Sequence, residues 1–273
     1  VDILSRSYLF IPGNTPSMLQ QMTVFDSDAV ILDLEDSVLA YDKDAARDLV
    51  HNAILSWPNS SVGIHVRIND IAQPEWERDV AMLRNLPIAS IVLPKASVDS
   101  VRRLAEQTDC PITALIETPM GLLDARTIAA HEQVQALLLG AEDWTKEMGV
   151  RRTKEGREID YARQHLAVVC HAYHKEAIDT PWTDKDDLEG LARDAAYAKS
   201  FGFTAKAVIH PNHVDVVNNT FVPSIDEIQE ARRIVQLADA TDKGAFTLDG
   251  KMVDAPIIDK ARALLVRAAR YGR

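Results

Sequence analysis

Ala114-Leu-Ile-Glu-Thr-Pro-Met-Gly121 and its echo Leu137-Leu-Leu-Gly-Ala-Glu-Asp143 are each a short apolar run ending in a carboxylate, broken by Gly or Pro and followed by a helical pattern. A parallel strand that delivers an acid to the rim of its sheet has this form. Glu117 and Asp143 are spaced by about one strand-helix-strand unit. Two such strands side by side place two carboxylates together at their C-terminal ends, which is a site for a hard divalent cation.

The same grammar runs outward in both directions. Short apolar strands are expected at Ser7–Ile11, Ala29–Asp33, Gly63–Arg67 and Ser90–Lys95 before the opening pair of strands, which end at Glu117 and Gly140, and at Ala177–Thr180 and Ala205–His210 after it. Helical segments separate them, with Ser224 to Ala240 as the eighth helix. Eight strand-helix alternations with polar groups at the strand ends predict an α/β fold, a TIM (β/α)8 barrel with its chemistry on the C-terminal face. An open doubly wound sheet is the rival, disfavoured because no Gly-x-Gly-x-x-Gly turn follows the first strand. Beyond the eighth helix, Ala245 to Asp254 reads as a hairpin turning at Asp249-Gly250, and Ala255-Pro256 opens a last amphipathic helix. The expected division is a catalytic barrel over residues 1–240 and a C-terminal hairpin-plus-helix arm over 241–273. That arm packs on the barrel rim or on a neighbouring subunit.

Composition narrows the function classes. The 273 residues are 47% apolar and 26% charged, enough for a packed core. The formal charge of −11, without a Lys/Arg cluster, argues against a nucleic-acid footprint. Positive charge for an anionic metabolite must then be concentrated locally. No apolar run reaches the roughly 20 residues of a membrane span, and the N-terminus lacks the plan of a signal peptide, so the cytoplasm is expected. Cys110 and Cys170, far apart and without ligand spacing, read as reduced structural thiols.

Several strand-end groups are candidates. Glu117 ends an apolar strand, where an ionised acid is costly unless satisfied; its duller role is to pair with an arginine. Asp143 joins it as a metal ligand or merely caps the next helix. Arg67 offers a guanidinium to clamp a carboxylate bidentately, or serves as partner to Asp33, Glu35 or Asp36. Glu35 and Asp36 hold metal-bound water or orient Arg67. Lys95 neutralises those acids or polarises a substrate carbonyl, and His210 lines the pocket or is structural. Asp254 caps the last helix on composition alone.

Taken in order, Arg6-Ser-Tyr-Leu-Phe-Ile-Pro-Gly13, Ile31-Leu-Asp-Leu-Glu-Asp-Ser37, Val66-Arg-Ile-Asn69, Leu93-Pro-Lys95, Ile116-Glu-Thr-Pro-Met-Gly121, Gly140-Ala-Glu-Asp143, Ala207-Val-Ile-His-Pro211 and Gly250-Lys-Met-Val-Asp-Ala-Pro256 cover nearly the whole chain. In these motifs the sequence resembles the citrate lyase beta-subunit family of the aldolase/citrate lyase group, which includes malyl-CoA and citramalyl-CoA lyases. The resemblance implies a TIM barrel with Mg2+ held by Glu117 and Asp143, and Arg67 on the oxo-acid carboxylate. It counts Phe10, Lys95, Glu117 and His210 with the substrate-contacting residues. It also implies a homotrimer or a multiple of three, in which Asp254 reaches an adjacent subunit's site as the acid/base group. Gln21 departs from the pattern, standing where several CoA-using relatives carry a lysine.

The activity so implied is Mg2+-dependent carbon-carbon cleavage of a 3-hydroxy-acyl thioester, citramalyl-CoA or a citryl thioester, to an acetyl thioester and pyruvate or oxaloacetate. The partner is an acyl-CoA or acyl-carrier thioester, with no nucleic acid and no membrane. Three alternatives stay open: a malyl-CoA-type thioesterase on the same site, a citrate lyase complex subunit that needs other chains, and a pyruvate-dependent aldolase acting without a thioester.

Overall fold

The computed structural model describes residues 5–58, 60–241 and 245–271. Eight parallel strands, β1 (Ser7–Pro12), β2 (Ala29–Asp33), β3 (Gly63–Arg67), β4 (Ser90–Leu93), β5 (Ile112–Ile116), β6 (Val134–Leu139), β7 (Glu176–Asp179) and β8 (Ala205–Val208), close in sequence order into a barrel. β1 pairs with both β2 and β8. The strands are apolar on both faces because both faces are covered. Ile31, Val92, Leu115, Leu138 and Ile178 fill the interior. Their alternates, including Leu9, Val30, Leu32, Ile91 and Leu137, pack with the surrounding helices in the larger core. Interior space is shared by pairing large with small: Tyr8 lies in register with Ala29 on one side and Ala207 on the other.

Two polar layers bracket the apolar middle of the barrel. At the N-terminal end, Tyr8 Oη donates to Glu176 Oε2 at 2.7 Å, and His65 Nδ1 meets Ser90 Oγ at 2.7 Å. At the C-terminal end are the groups expected to act. Outside the barrel, Lys206 of β8 reaches Asp179 of β7 at 2.5 Å and Asp194 of helix Leu188–Phe201 at 2.6 Å. Arg163 of helix Asp160–Ala172 bonds the same two acids at 2.8–2.9 Å. Two cations and two anions, all buried, thus lock β7 and β8 to their two helices.

The helix after β8 differs from the expectation. Val214–Phe221 completes the barrel unit and packs on β8, β1 and helix Leu188–Phe201. The segment expected there, observed as helix Ile225–Asp239, packs instead with the last helix, Ala255–Arg270. The described chain divides into two compact units between Phe221 and Val222, earlier than the expected boundary after residue 240. The second unit also holds the antiparallel hairpin of β9 (Ala245–Leu248) and β10 (Lys251–Asp254), with a small core of Ala231, Ile234, Val253 and Ala261. Among the described residues no helix is long and apolar enough to cross a membrane.

Candidate active site

The C-terminal mouth of the barrel holds a cavity of about 330 Å³ lined by Phe10, Asp33, Arg67, Leu115, Glu117, Leu138, Gly140, Asp143, Thr180 and Ile209 among others. Most of these are the alternate, inward-pointing positions at the ends of successive strands, as the pleat requires. Glu117 follows β5 and is 3% exposed. Its Oε1 accepts the backbone N–H of Lys95 at 2.7 Å. Lys95 reaches that position at φ 44°, a left-handed conformation that a residue with a β-carbon seldom adopts and that stores strain on the order of 1 kcal/mol. Gly140 is what lets Glu117 sit against the end of β6: a Cβ there would fall 2.6 Å from Glu117 Cβ and 2.7 Å from Oε2. Asp143 lies in the first turn of helix Ala141–Glu147, with Lys146 Nζ 3.6 Å away. That helix is tied to β7 by Thr180 Oγ1, which accepts Ala141 N–H at 3.2 Å.

Burial pushes the Glu117 carboxyl up to about 8, against the pull of the Lys95 N–H and with further push from the Glu35 and Asp143 charges. An acid so placed is short of positive charge, and a cation shared with Asp143 would supply it. The donor set is oxygen only, which suits a hard divalent ion. Among the described residues no group of three or more His, Cys, Asp or Glu gathers for a metal. Two protein carboxylates therefore leave most of such an ion's coordination to substrate and water.

Arg67 ends β3 and lies 5.2 Å over the Phe10 ring. Its Nε and Nη2 donate to the two oxygens of Asp33 at 2.6 and 2.7 Å, and Nη1 faces Glu35 Oε2 at 3.1 Å. Asp36, 4.0 Å from the same nitrogen, is largely exposed. Burial would raise the Asp33 carboxyl, but the Arg67 charge and hydrogen bonds hold it below its usual range. Glu35 is pushed up to about 7 by burial despite Arg67. Lys95 Nζ turns to Asp70 at 3.1 Å and Glu35 at 3.5 Å, so this residue meets Glu117 through its backbone. His210 does not line the cavity. Its Nδ1 accepts Asn212 N–H at 3.2 Å as a cap, while the preceding Ile209 takes the lining position. Asp254 is the residue before helix Ala255–Arg270 in the second unit and makes no capping hydrogen bond with its side chain. The tether made by Thr180 and the closeness of Gly140 to Glu117 emerge only in the folded chain. A strand-end threonine and a strand-end glycine, both inward by the pleat, were the available signals.

Barrel and mouth together define a class: (β/α)8 enzymes that gather acids and a guanidinium at the C-terminal rim. Residues 6–211 match the HpcH/HpaI aldolase/citrate lyase family, and the chain belongs to that family. It is 33% identical to the citrate lyase subunit beta of Escherichia coli K12, over 98% of this chain and 94% of that one. It is 31% identical to the mitochondrial citramalyl-CoA lyase of Homo sapiens, over 94% and 83% of the two chains. Its structure is similar to that of CitE from Mycobacterium tuberculosis in complex with magnesium, acetoacetate and coenzyme A, with a TM-score of 0.86, 31% identity and coverage of 97% and 98%.

Proposed function

We propose that this protein is a Mg2+-dependent carbon-carbon lyase that cleaves a 3-hydroxy-acyl thioester, citramalyl-CoA or a citryl thioester, to an acetyl thioester and a 2-oxo acid. The observation that carries the reading is the convergence of Glu117, Asp143 and Arg67 on one cavity, with Glu117 buried and short of positive charge. The named relatives and the magnesium, acetoacetate and coenzyme A bound by the Mycobacterium tuberculosis protein support it. Glu117 and Asp143 would hold the magnesium ion, which would supply positive charge beside the substrate's oxygens and make its hydroxyl more acidic. Arg67, held rigid by Asp33, fixes the carboxylate. The apolar wall keeps water from the developing enolate, whose charge the thioester carbonyl delocalises. Asp254, contributed by an adjacent copy in a trimer or a multiple of three, protonates the enolate carbon in cleavage, the hydroxyl proton passing to solvent in exchange, and removes the carbon-bound proton in condensation. Phe10 and the Lys95 segment shape the substrate's approach. A cytoplasmic setting fits such a thioester substrate.

Purified protein with Mg2+ is assayed by mass spectrometry against citramalyl-CoA, malyl-CoA and citryl-CoA. Acetyl-CoA with a 2-oxo acid is expected, and both Glu117→Ala and Asp254→Asn are expected to abolish it. Free CoA appearing without an acetyl thioester selects the thioesterase. Wild-type turnover by both variants refutes the assigned roles.

A further inference from the structure

We propose that Lys43 is a positioning residue for the substrate's carboxylate: it holds the chain after β2 so that Asp33 and Glu35 keep Arg67 aimed at its ligand. The inference rests on the reading of Arg67 as the carboxylate's partner and deepens it. Lys43 is the first residue of helix Lys43–Ser56. Local chemistry disfavours a cation there, because the helix dipole favours acids at that end. Burial also pushes its ammonium below the ordinary lysine range, against the pull of the Asp33, Asp79, Glu35 and Asp36 charges. Its Nζ nevertheless donates to the carbonyls of Leu34 at 2.7 Å and Glu35 at 2.6 Å, two residues that are themselves buried.

Those two carbonyls belong to the segment that cradles Arg67. Asp33 accepts the Glu35 and Ser37 N–H groups at 2.9 and 3.1 Å while its two oxygens grip Arg67, and Glu35 Oε2 faces Arg67 Nη1. Leu34 N–H in turn donates to the Arg67 carbonyl at 2.9 Å. The same helix fixes the chain on the far side of Arg67. Arg47 Nη1 donates to Asp79 at 2.9 Å, and the other Asp79 oxygen accepts the backbone and side-chain N–H groups of Asn69 at 2.8 and 2.7 Å. Asp79 is wholly buried. Lys43 therefore acts from an anchored helix, through main-chain oxygens, and is not among the residues lining the cavity. Removing its donors frees the turn to shift, and with it the angle of Arg67. Arg67 grips the carboxylate in substrate and transition state alike, so a misaimed guanidinium raises KM more than it lowers kcat.

The test uses the full chain with saturating Mg2+, measuring kcat and KM for citramalyl-CoA and citryl-CoA, and binding of pyruvate and oxaloacetate by calorimetry. Lys43→Met is expected to raise KM for whichever thioester is cleaved, and to weaken binding of the acid, about tenfold, with kcat within about threefold of wild type. Mg2+ affinity without acid stays in place, because Glu117 and Asp143 follow other strands. Lys43→Arg, which keeps donors for both carbonyls, is expected to bring KM back to within about threefold. Ile54→Ala, a core change further along the same helix, lowers the melting temperature and leaves KM unchanged. Should the methionine chain not fold, Lys43→Gln, with an amide on a shorter stem, carries the same expectation. Unchanged KM and acid binding on loss of the ammonium, an equal rise of KM in Ile54→Ala, or no recovery in Lys43→Arg overturns the inference and leaves the lyase reading standing. If the wild type cleaves neither thioester and binds neither acid, the lyase reading itself falls, and the inference with it.

Discussion

Glu117 accepts one backbone N–H and otherwise relies on charge, so Glu117→Gln keeps its shape while removing what a cation needs. Mg2+ affinity measured by calorimetry is expected to fall about tenfold or more, with melting temperature not lowered, since affinity for such ions follows ligand charge. Gly140→Ala tests the close approach from the other side. Its Cβ would lie 2.6 Å from Glu117 Cβ, an overpacking expected to cost about 1–3 kcal/mol in chemical denaturation and to displace the acid. At the opposite end of the barrel Glu176 has one oxygen on Tyr8 Oη and the other buried without a partner, and burial pushes its carboxyl up to about 7. The folded state therefore holds this proton where the unfolded chain has released it. Stability is expected to fall as pH rises from about 4.5 to 7, by on the order of 1–3 kcal/mol. Glu176→Gln should flatten that slope in denaturant titrations; an unchanged slope refutes the assignment.

At the scale of elements, the site depends on how β7 and β8 are anchored. Lys206, Asp179, Asp194 and Arg163 are buried together between these strands and two helices, and Arg163 and Lys206 outweigh the burial that would otherwise raise the Asp194 carboxyl. Lys206→Met leaves two acids to one guanidinium and is expected to lower unfolding free energy by about 3–5 kcal/mol. Thr180 follows β7 and holds the helix that bears Asp143 through Ala141 N–H. Thr180→Val should cost about 1 kcal/mol of stability, and weaken Mg2+ binding several-fold because the helix start loses its tether. The eighth barrel helix is the weaker of two neighbouring candidates in the sequence. Val214-Asp-Val-Val-Asn-Asn-Thr-Phe221 is short and rich in residues of weak helix propensity, whereas Ser224 begins a full capping box with Glu227. Local signal pointed to the stronger helix, and packing against β1 and β8 stabilised the weaker one.

At the scale of the molecule, the acid proposed to protonate the enolate is not one of those at the barrel mouth. Asp254 belongs to the second unit. If it works on an adjacent copy, Glu117→Ala and Asp254→Asn chains are each inactive alone and complement one another when co-expressed. Random mixing in a closed ring is expected to restore about a quarter of the sites. Recovery of activity on mixing is the readout, and its absence places Asp254 outside the shared site.

The local sequence by itself determined the strands. Eight apolar runs, each stopped by Gly, Pro or a polar side chain and alternating with helices, call for a parallel sheet covered on both faces, and closure of β1 on β8 is seen in the fold. The period of two then places Asp33, Arg67, Glu117 and Gly140 at inward positions near the same ends. The motifs also determined the family. Only the tertiary structure decided which charges belong to each other, because pairing is settled by contacts between residues far apart in the chain. It gave Asp33 to Arg67 rather than leaving three acids equivalent, and it turned Lys95 towards Glu117 by its backbone while sending its ammonium to Asp70 and Glu35. It also matched Lys206 and Arg163 to Asp179 and Asp194, buried charges that no local pattern marks as partners.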